Sequence, residues 1–585
     1  MLFSNIYTSS LKRIYSILLP HQRKKTILIF LFVVINGLID VIGLAFILPV
    51  LYVINDSSVI YSNYYLNFLY NQFHFVSPDG FSLFLIILMF IVFLGKNFIS
   101  ALIIYFQYKY SNNIAIELIS SQYKKYLHKD YLYFKQNNSN YILRDIATIP
   151  SEFAQGVLIP IINFSTELIV TLSITIAIGI YNPIVFLLLS IILFPSFILF
   201  YNSIKNKVDR YGIEISEIRS STFKSIFEAI FGIEEVKLAN KENYFIKRSL
   251  NPLKYYFGLN VKLNFFKVLP AKVIEIVSIL GIVLIFMYGF FLGEKKNTFS
   301  LLMIFATAAY RMMPSLNRMV SSLIDIKNKS YVFDILSENS IPHKDDVENL
   351  QEVIFNKSIH INNISFKFPD KENYVLEKIN ILISKGDKIG LIGESGSGKS
   401  TLIKIILGFL KPETGSILID DNLINAAKSI KWRDKIGYVQ QDFYLLDCSL
   451  AENIAFGEKL SEINFEKLKN CIELAKLDSL VETLVDKEYT KVGEFGSNLS
   501  GGQRQRIAIA RSLYKEVEIL IFDEATSALD NKTEQEIIET INNLTDKNYT
   551  IIMITHRLSS LRFCDDIYEI KEGCIINKLK YDSIE

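Results

Sequence analysis

Six apolar runs, each near the roughly 20 residues that an α-helix needs to cross a bilayer, constrain this chain more than any other feature. They occupy residues 26–53, 82–106, 157–180, 184–203, 269–293 and 298–323. A hydrophobic fraction of 50% agrees with a membrane protein rather than an ordinary soluble enzyme. The connections between runs are unequal. Only Tyr181-Asn182-Pro183 separates the third from the fourth, and little beyond Gly293-Glu294-Lys295-Lys296-Asn297 the fifth from the sixth, while about 50 to 65 residues follow the second and the fourth. The segment 54–81 contains no Lys or Arg, whereas both long loops and the N-terminus, with Lys12, Arg13, Arg23, Lys24 and Lys25, are basic. Lys and Arg accumulate on the cytoplasmic side, so both long loops and both ends are expected there. Residues 1–25 do not end in a small-residue cleavage site, and the first span is therefore read as retained.

The membrane pattern ends near Asn328. A polar stretch containing Pro342-His343-Lys344-Asp345-Asp346 follows, and then short runs rich in Ile and Val alternate with helical segments, as in an α/β domain with a largely parallel sheet. The expected organisation is a cytoplasmic segment 1–25, a membrane domain 26–328, a linker 329–358 and an α/β domain 359–585. All four cysteines (Cys448, Cys471, Cys564, Cys574) lie in the last of these with no metal-ligand spacing, which suits a reducing cytoplasm. A net charge of +2 supplies no argument for a nucleic-acid partner, and none is expected.

Gly393-Glu394-Ser395-Gly396-Ser397-Gly398-Lys399-Ser400 fits the phosphate-binding loop pattern, after an apolar strand and before a helical run from Thr401 to Leu410. Its glycines allow backbone amides to curl around phosphates at a helix N-terminus, Lys399 offers a point charge to the β and γ phosphates, and the Ser400 hydroxyl can ligate Mg²⁺. Farther on, Ile519 to Asp523 reads as a buried strand ending in a carboxylate, followed by Glu524. Asp523 suits a metal held through water, and Glu524 suits polarisation of an attacking water. An acid pair after a strand is otherwise often a solvated turn.

Leu499-Ser500-Gly501-Gly502-Gln503 is the signature by which the chain is identified as a member of the ATP-binding cassette superfamily, a resemblance covering most of 359–575. The resemblance implies ATP and Mg²⁺ as cofactors, with Phe368 stacked on adenine, Thr401 in the phosphate site, Gln441 of the Q-loop beside metal or water, Ser527-Ala528-Leu529-Asp530 as the D-loop, and His556 as the switch histidine. Two positions depart from the usual pattern, Gln440 for a proline and Phe368 for a tyrosine, and neither removes a catalytic group. In this superfamily the signature of one subunit, here Ser500, Gly501, Gly502 and Gln503, closes over ATP bound to the other. One cassette per chain therefore implies a second chain, and a full set of catalytic groups favours a homodimer. The implied fold is an α-helical membrane domain of six transmembrane helices plus an α/β P-loop NTPase domain. Six spans with a fused C-terminal cassette resemble exporters, with Tyr131–Asp145 and Glu228–Glu242 as coupling segments between ATPase and membrane domain. No cysteine-peptidase domain precedes the first span, which argues against leader-processing peptide exporters.

Basic residues inside the apolar runs bear on the cargo. Lys96, Lys272, Arg311 and Arg318 all lie there, where a cation costs about 2.5–3.5 kcal/mol at the bilayer centre on insertion scales. Arg311 and Arg318 are seven residues apart, on one helical face, with Pro314 between them. Either they bind an anionic substrate, or they snorkel or pair with intramembrane acids such as Asp40 and Glu275. The run Tyr310 to Arg318, with Lys96 and Lys272, resembles PglK-type flippases, which implies a polyprenyl-pyrophosphate-linked oligosaccharide as substrate and a bacterial inner membrane as location. Lysines stand at 96 and 272 where arginines are expected, so charge is kept but bidentate geometry is not. The aromatic segment Tyr61 to Tyr70 suits contact with outer-leaflet lipid, or simply a packed loop helix. Export of lipid A, a hydrophobic drug or a peptide, and a regulatory membrane ATPase that transports nothing, are the alternatives.

Overall fold

The computed structural model describes residues 2–45, 50, 53–54, 57–181, 183–292, 295–338, 352–424, 426–524, 535–536, 539, 549–555 and 557–583. The chain divides into two compact units, Met1–Lys129 with Phe134–Pro342, and Asp130–Tyr133 with His343–Glu585. Of the linker expected at 329–358, residues 339–351, which include Pro342 to Asp346, lie outside the described residues.

The first unit is helical. The predicted apolar runs fall on long helices, α1 (Pro20–Ala45), α2 (Pro78–Leu127), α3 (Ile159–Tyr181), α4 (Pro183–Phe231), α5 (Glu242–Leu292) and α6 (Lys295–Asn328), except that the first run passes the end of α1, with residues 46–49 and 51–52 outside the described residues, as is residue 293 of the fifth. Among the described residues, three helical stretches, Pro78–Leu127, Ser139–Ile180 and Glu242–Met287, are long and apolar enough to cross a membrane by length and composition. The start of α2 follows from local chemistry: the Ser77 hydroxyl accepts from Gly80 N at 3.2 Å, Pro78 opens the first turn, Asp79 sits in it, and Lys124 and Lys125 close the last turn against the helix dipole. Lys295, Lys296 and Asn297, read above as a connection, already belong to α6. That helix packs on α3, α4 and α5, and α1 packs on α2 and α3. The core between them is apolar, with Phe305, Met312, Leu316, Val320 and Leu323 of α6 almost fully buried. Gly212 of α4 lies so close to the end of α6 that a Cβ would stand 2.0 Å from Asn328 O, so a larger residue there would push the two helices apart.

The long loops are helical extensions with short interruptions. Tyr131–Gln136 and Ser139–Leu143 are short helices, a π turn spans Arg144–Thr148, and Ile233–Leu238 joins α4 to α5. The segment between α1 and α2 contains the short helices Val59–Ser62 and Tyr64–Gln72, with the Asn63 side chain capping the second. Leu66 and Tyr70 pack under this segment against Phe81 and Leu85, while Tyr64 and Tyr65 keep 78% and 76% of their surface exposed.

The second unit is α/β. Its six-stranded sheet has the order β10-β9-β3-β8-β7-β6, from β3 (Lys388–Ile392), β6 (Ile436–Val439), β7 (Ile519–Asp523), β8 (Thr550–Ile554), β9 (Asp566–Lys571) and β10 (Cys574–Leu579). All neighbours pair in parallel except the edge strand β10. The central strands β7 and β8 are buried throughout, as near-continuous Ile and Leu runs require of a sheet covered on both faces. A separate antiparallel sheet, ordered β2-β1-β4-β5, uses β1 (Ser358–Phe366), β2 (Leu376–Ser384), β4 (Thr414–Ile419) and β5 (Asn422–Leu423). Within this unit Tyr131 stacks on Phe409, ring centroids 5.4 Å apart.

Candidate nucleotide site

Parallel α/β sheets present ligands at the carboxyl ends of their strands, and here the ends of β3 and β7 carry the candidate residues, with β8 between them. The loop Gly393 to Gly398 leaves β3 and enters helix α7 (Lys399–Ile406), two residues earlier at its start and four earlier at its end than the sequence suggests. Gly398 caps that helix at φ 105°, a left-handed conformation that an L side chain rarely adopts. The loop curls around the Lys399 ammonium, which donates to Gly393 O at 2.8 Å and Glu394 O at 2.9 Å. Burial pushes this ammonium below the usual lysine range, against the pull of Glu524 and Asp523. The Ser397 hydroxyl is buried with no hydrogen-bond partner among the described residues, while Glu394, Ser395, Gly396 and Ser400 are exposed and Thr401 is half-buried. A loop of this form, with a buried cation and an orphaned hydroxyl, fits a polyphosphate.

Asp523, 6% exposed, is held from two sides. Its Oδ1 accepts from the Ser400 hydroxyl at 3.4 Å and its Oδ2 from the Tyr438 hydroxyl at 2.9 Å. Desolvation raises its pKa above the usual carboxylate range, with Glu524 adding to the effect and the Tyr438 and Ser400 hydrogen bonds opposing it. Burial and the facing carboxylate also push the Tyr438 phenol up, so it stays a donor. Asp523 with Ser400 is a hard oxygen set suited to Mg²⁺, which takes few protein ligands beside phosphate and water. Among the described residues no group of three or more His, Cys, Asp or Glu forms a metal site, and Cys448, Cys471, Cys564 and Cys574 form no disulfide.

Glu524 follows β7 at φ 48°, its N–H donating to Ile554 O at 2.9 Å. The backbone thereby turns off the sheet at Glu524, whose carboxylate accepts from Gln441 Nε2 at 2.9 Å. Asp523, Glu524, Ser400, Lys399 and Gln441 are thus assembled at the carboxyl ends of the parallel strands. His556 and the segment Ser527-Ala528-Leu529-Asp530 lie outside the described residues. Phe368 is half-buried, edge-to-face on Phe366 with centroids 5.1 Å apart. The signature Ser500 caps helix α8 (Gly501–Tyr514): its Oγ accepts from Gln503 N at 3.3 Å and the Gln503 side chain accepts from Ser500 N at 2.9 Å. Ser500 and Gly501 remain exposed at that helix start, and Gly502 is buried.

Sequence reasoning missed two residues here. Tyr438 is a polar ring in an otherwise apolar strand, a signal available in Ile436-Gly437-Tyr438-Val439. Arg511 has no such signal. It donates to Asn453 O at 2.8 Å, Tyr444 O at 2.9 Å and Asn453 Oδ1 at 3.1 Å, tying the stretch after Gln441 to α8.

In the first unit each predicted substrate cation has an acidic neighbour. Lys96 and Arg311 share Asp40, Lys272 pairs with Glu275 at 3.1 Å, and Arg318 pairs with Glu167. Pairing with Asp40 and Glu275 is the alternative left open by the sequence. Glu167 was not singled out.

The ABC transporter profile matches residues 376–527, and the ABC transporter transmembrane region profile matches residues 11–314. Similar relatives include the lactococcin-G-processing and transport ATP-binding protein LagD of Lactococcus lactis, 30% identical over 68% of this chain and 56% of its own length. The alpha-hemolysin translocation ATP-binding protein HlyB of Escherichia coli O157:H7 is 43% identical over 37% of this chain and 30% of its own length, and ABC transporter B family member 14 of Arabidopsis thaliana is 35% identical over 48% and 22%. The matches to these curated relatives therefore span from about a fifth to just over half of the relatives' lengths. The structure of a bacterial Atm1-family ABC exporter with ATP bound superposes with a TM-score of 0.76 at 20% identity, covering 96% of both chains, and so shares the fold.

Proposed function

This chain belongs to the ABC transporter family, and from that premise we propose that two identical copies hydrolyse ATP with Mg²⁺ to export or flip an amphipathic anionic substrate, a polyprenyl-pyrophosphate-linked oligosaccharide, across a bacterial inner membrane. The observation that carries the ATPase part is the assembly of Lys399, Ser400, Asp523, Gln441 and Glu524 at the carboxyl ends of the parallel strands. The loop 393–398 with Lys399 and Thr401 would hold the phosphates, Phe368 would stack on the base, and Ser400, Gln441 and Asp523 would hold the metal, directly or through water. Glu524 polarises the attacking water, oriented by Gln441, and His556 donates to the terminal phosphate. Ser500, Gly501, Gly502 and Gln503 meet the ATP of the partner copy. The nucleotide-binding domain 359–585 sits in the cytoplasm, and the exposed aromatic residues of 61–70 lie toward membrane lipid.

The substrate class is supported by Lys96, Lys272, Arg311 and Arg318 in apolar helices, a pattern suited to a pyrophosphate headgroup. A second reading is favoured by the names of HlyB and LagD, which concern alpha-hemolysin translocation and lactococcin-G processing and transport: the cargo is a peptide. Proteoliposomes separate them. ATP-dependent flipping of a polyprenyl-pyrophosphate oligosaccharide, absent in Glu524→Gln, supports the first reading. An active ATPase that moves peptide and not the lipid supports the second, and an ATPase that responds to neither substrate points to a regulator.

A further inference from the structure

Asp40 of α1 bridges two cations from two other helices. Its Oδ1 lies 2.8 Å from Lys96 Nζ on α2, and its Oδ2 lies 3.1 Å from Arg311 Nη2 on α6. The three side chains keep only 19%, 12% and 22% of their surface exposed. Among the described residues Lys272–Glu275 and Arg318–Glu167 are one-to-one pairs, but here one carboxylate serves two cations. The Phe93 ring, 5.1 Å from Lys96 Nζ, takes up part of the excess through its π face. Arg311 Nε, on the same guanidinium edge as Nη2, is buried with no hydrogen-bond partner among the described residues. A surplus positive charge and an orphaned donor in low-dielectric surroundings are both costly, and one added anion relieves both.

We propose that Asp40, Lys96 and Arg311 form a phosphate site in which Asp40 is the resident competitor. A phosphate or pyrophosphate group takes the Nε–Nη2 edge of Arg311 with two oxygens, the bidentate geometry that guanidinium favours, while Asp40 releases Arg311 and keeps Lys96. The carboxylate therefore weakens binding and speeds release, as a carrier requires. The proposal rests on the anionic-substrate reading above and adds to it a counter-ion that sets affinity.

The test is calorimetric titration of the full chain in detergent, without nucleotide, using inorganic pyrophosphate and farnesyl pyrophosphate as probes. Asp40→Asn is expected to bind the probes about tenfold tighter than the wild type, and Arg311→Lys, which keeps charge but loses the edge, about tenfold weaker. Thermal melting of both variants establishes that they are folded. Unchanged or weaker binding by folded Asp40→Asn, or wild-type binding by Arg311→Lys, overturns the proposal. Equal shifts for both probes assign recognition to the phosphate alone, and shifts confined to farnesyl pyrophosphate assign it to a lipid-borne headgroup. Flipping without the Asp40→Asn shift sinks this site and leaves the substrate reading standing. The shift without flipping of any oligosaccharide lipid keeps the phosphate site and removes that substrate.

Discussion

Gln441 donates its side-chain amide to Glu524, Nε2 to Oε2 at 2.9 Å, so a residue of the loop after β6 orients the carboxylate that follows β7. The contact places a neutral donor on the group assigned to polarise water. Glu524→Gln keeps size and removes the negative charge, so turnover is expected to fall by about 10²–10⁴-fold, the usual contribution of a general base. Nucleotide binding, which relies on Lys399 and the glycine loop, is retained. Steady-state ATPase with a parallel titration of a fluorescent ATP analogue checks this, and normal hydrolysis in the variant removes Glu524 from its role.

The environment of Asp523 sets a pH limit. Its pKa is raised, chiefly by desolvation, so its contribution to the stability of the nucleotide-free fold is full at acid pH and is lost as pH rises through the raised value. Magnesium needs the charged form, so Mg²⁺-dependent turnover is expected to fail on acidification at a higher pH than an ordinary aspartate dictates. Tyr438→Phe removes a hydrogen bond that favours the carboxylate. That variant should shift the acid limb further upward and raise the Mg²⁺ concentration for half-maximal activity. A pH profile and Mg²⁺ titration superimposable on the wild type would remove Tyr438 as a positioning residue.

Arg511 tests the architecture rather than the chemistry. Burial holds its guanidinium down to about 10, and its three acceptors are on Tyr444 and Asn453. Asn453 is itself fully buried. Arg511→Ala takes the guanidinium donors from the Tyr444 and Asn453 backbone carbonyls and leaves Asn453 Oδ1 with Leu446 N alone, and is expected to cost about 2–3 kcal/mol, lowering the Tm of the nucleotide-binding unit by about 5–10 °C. Scanning calorimetry of the full chain reads this, and a Tm within a degree of the wild type contradicts it.

Local patterns that carry their own chemistry were legible in the sequence. The glycine loop, the strand ending in Asp523 and the apolar runs announce themselves because backbone curvature, buried strands and membrane helices each demand particular residues over a short window. What depends on distance in the chain was not legible. Tyr438 meets Asp523 from 85 residues away, and Glu167 meets Arg318 from 151, pairings that only the fold creates. The antiparallel sheet of β1, β2, β4 and β5 was likewise invisible as a unit, because β1 reaches β4 across the intervening β3 and α7. The early end of α7 has a local cause: Gly408, at φ 68°, follows Ile406 and Leu407 and favours the left-handed turn that ends helices.

Arg318 has two candidate roles that one variant cannot separate. Its Nε donates to Glu167 Oε1, and the other oxygen of that carboxylate is buried without a hydrogen-bond partner among the described residues. Arg318→Ala therefore removes a cation from the proposed substrate path and also leaves Glu167 buried and unpaired, and either change alone would lower flipping. Pairing Arg318→Met with Glu167→Gln replaces the ion pair by neutral groups of similar size, and a double-mutant cycle on melting should return a coupling of about 1–3 kcal/mol. The stable double variant is expected to remain defective in flipping while its basal ATPase persists, because the charge that meets the anion is gone although the packing is restored. Recovery of flipping together with stability would make Arg318 a structural partner of Glu167 and leave recognition of the anion to Lys96, Lys272 and Arg311.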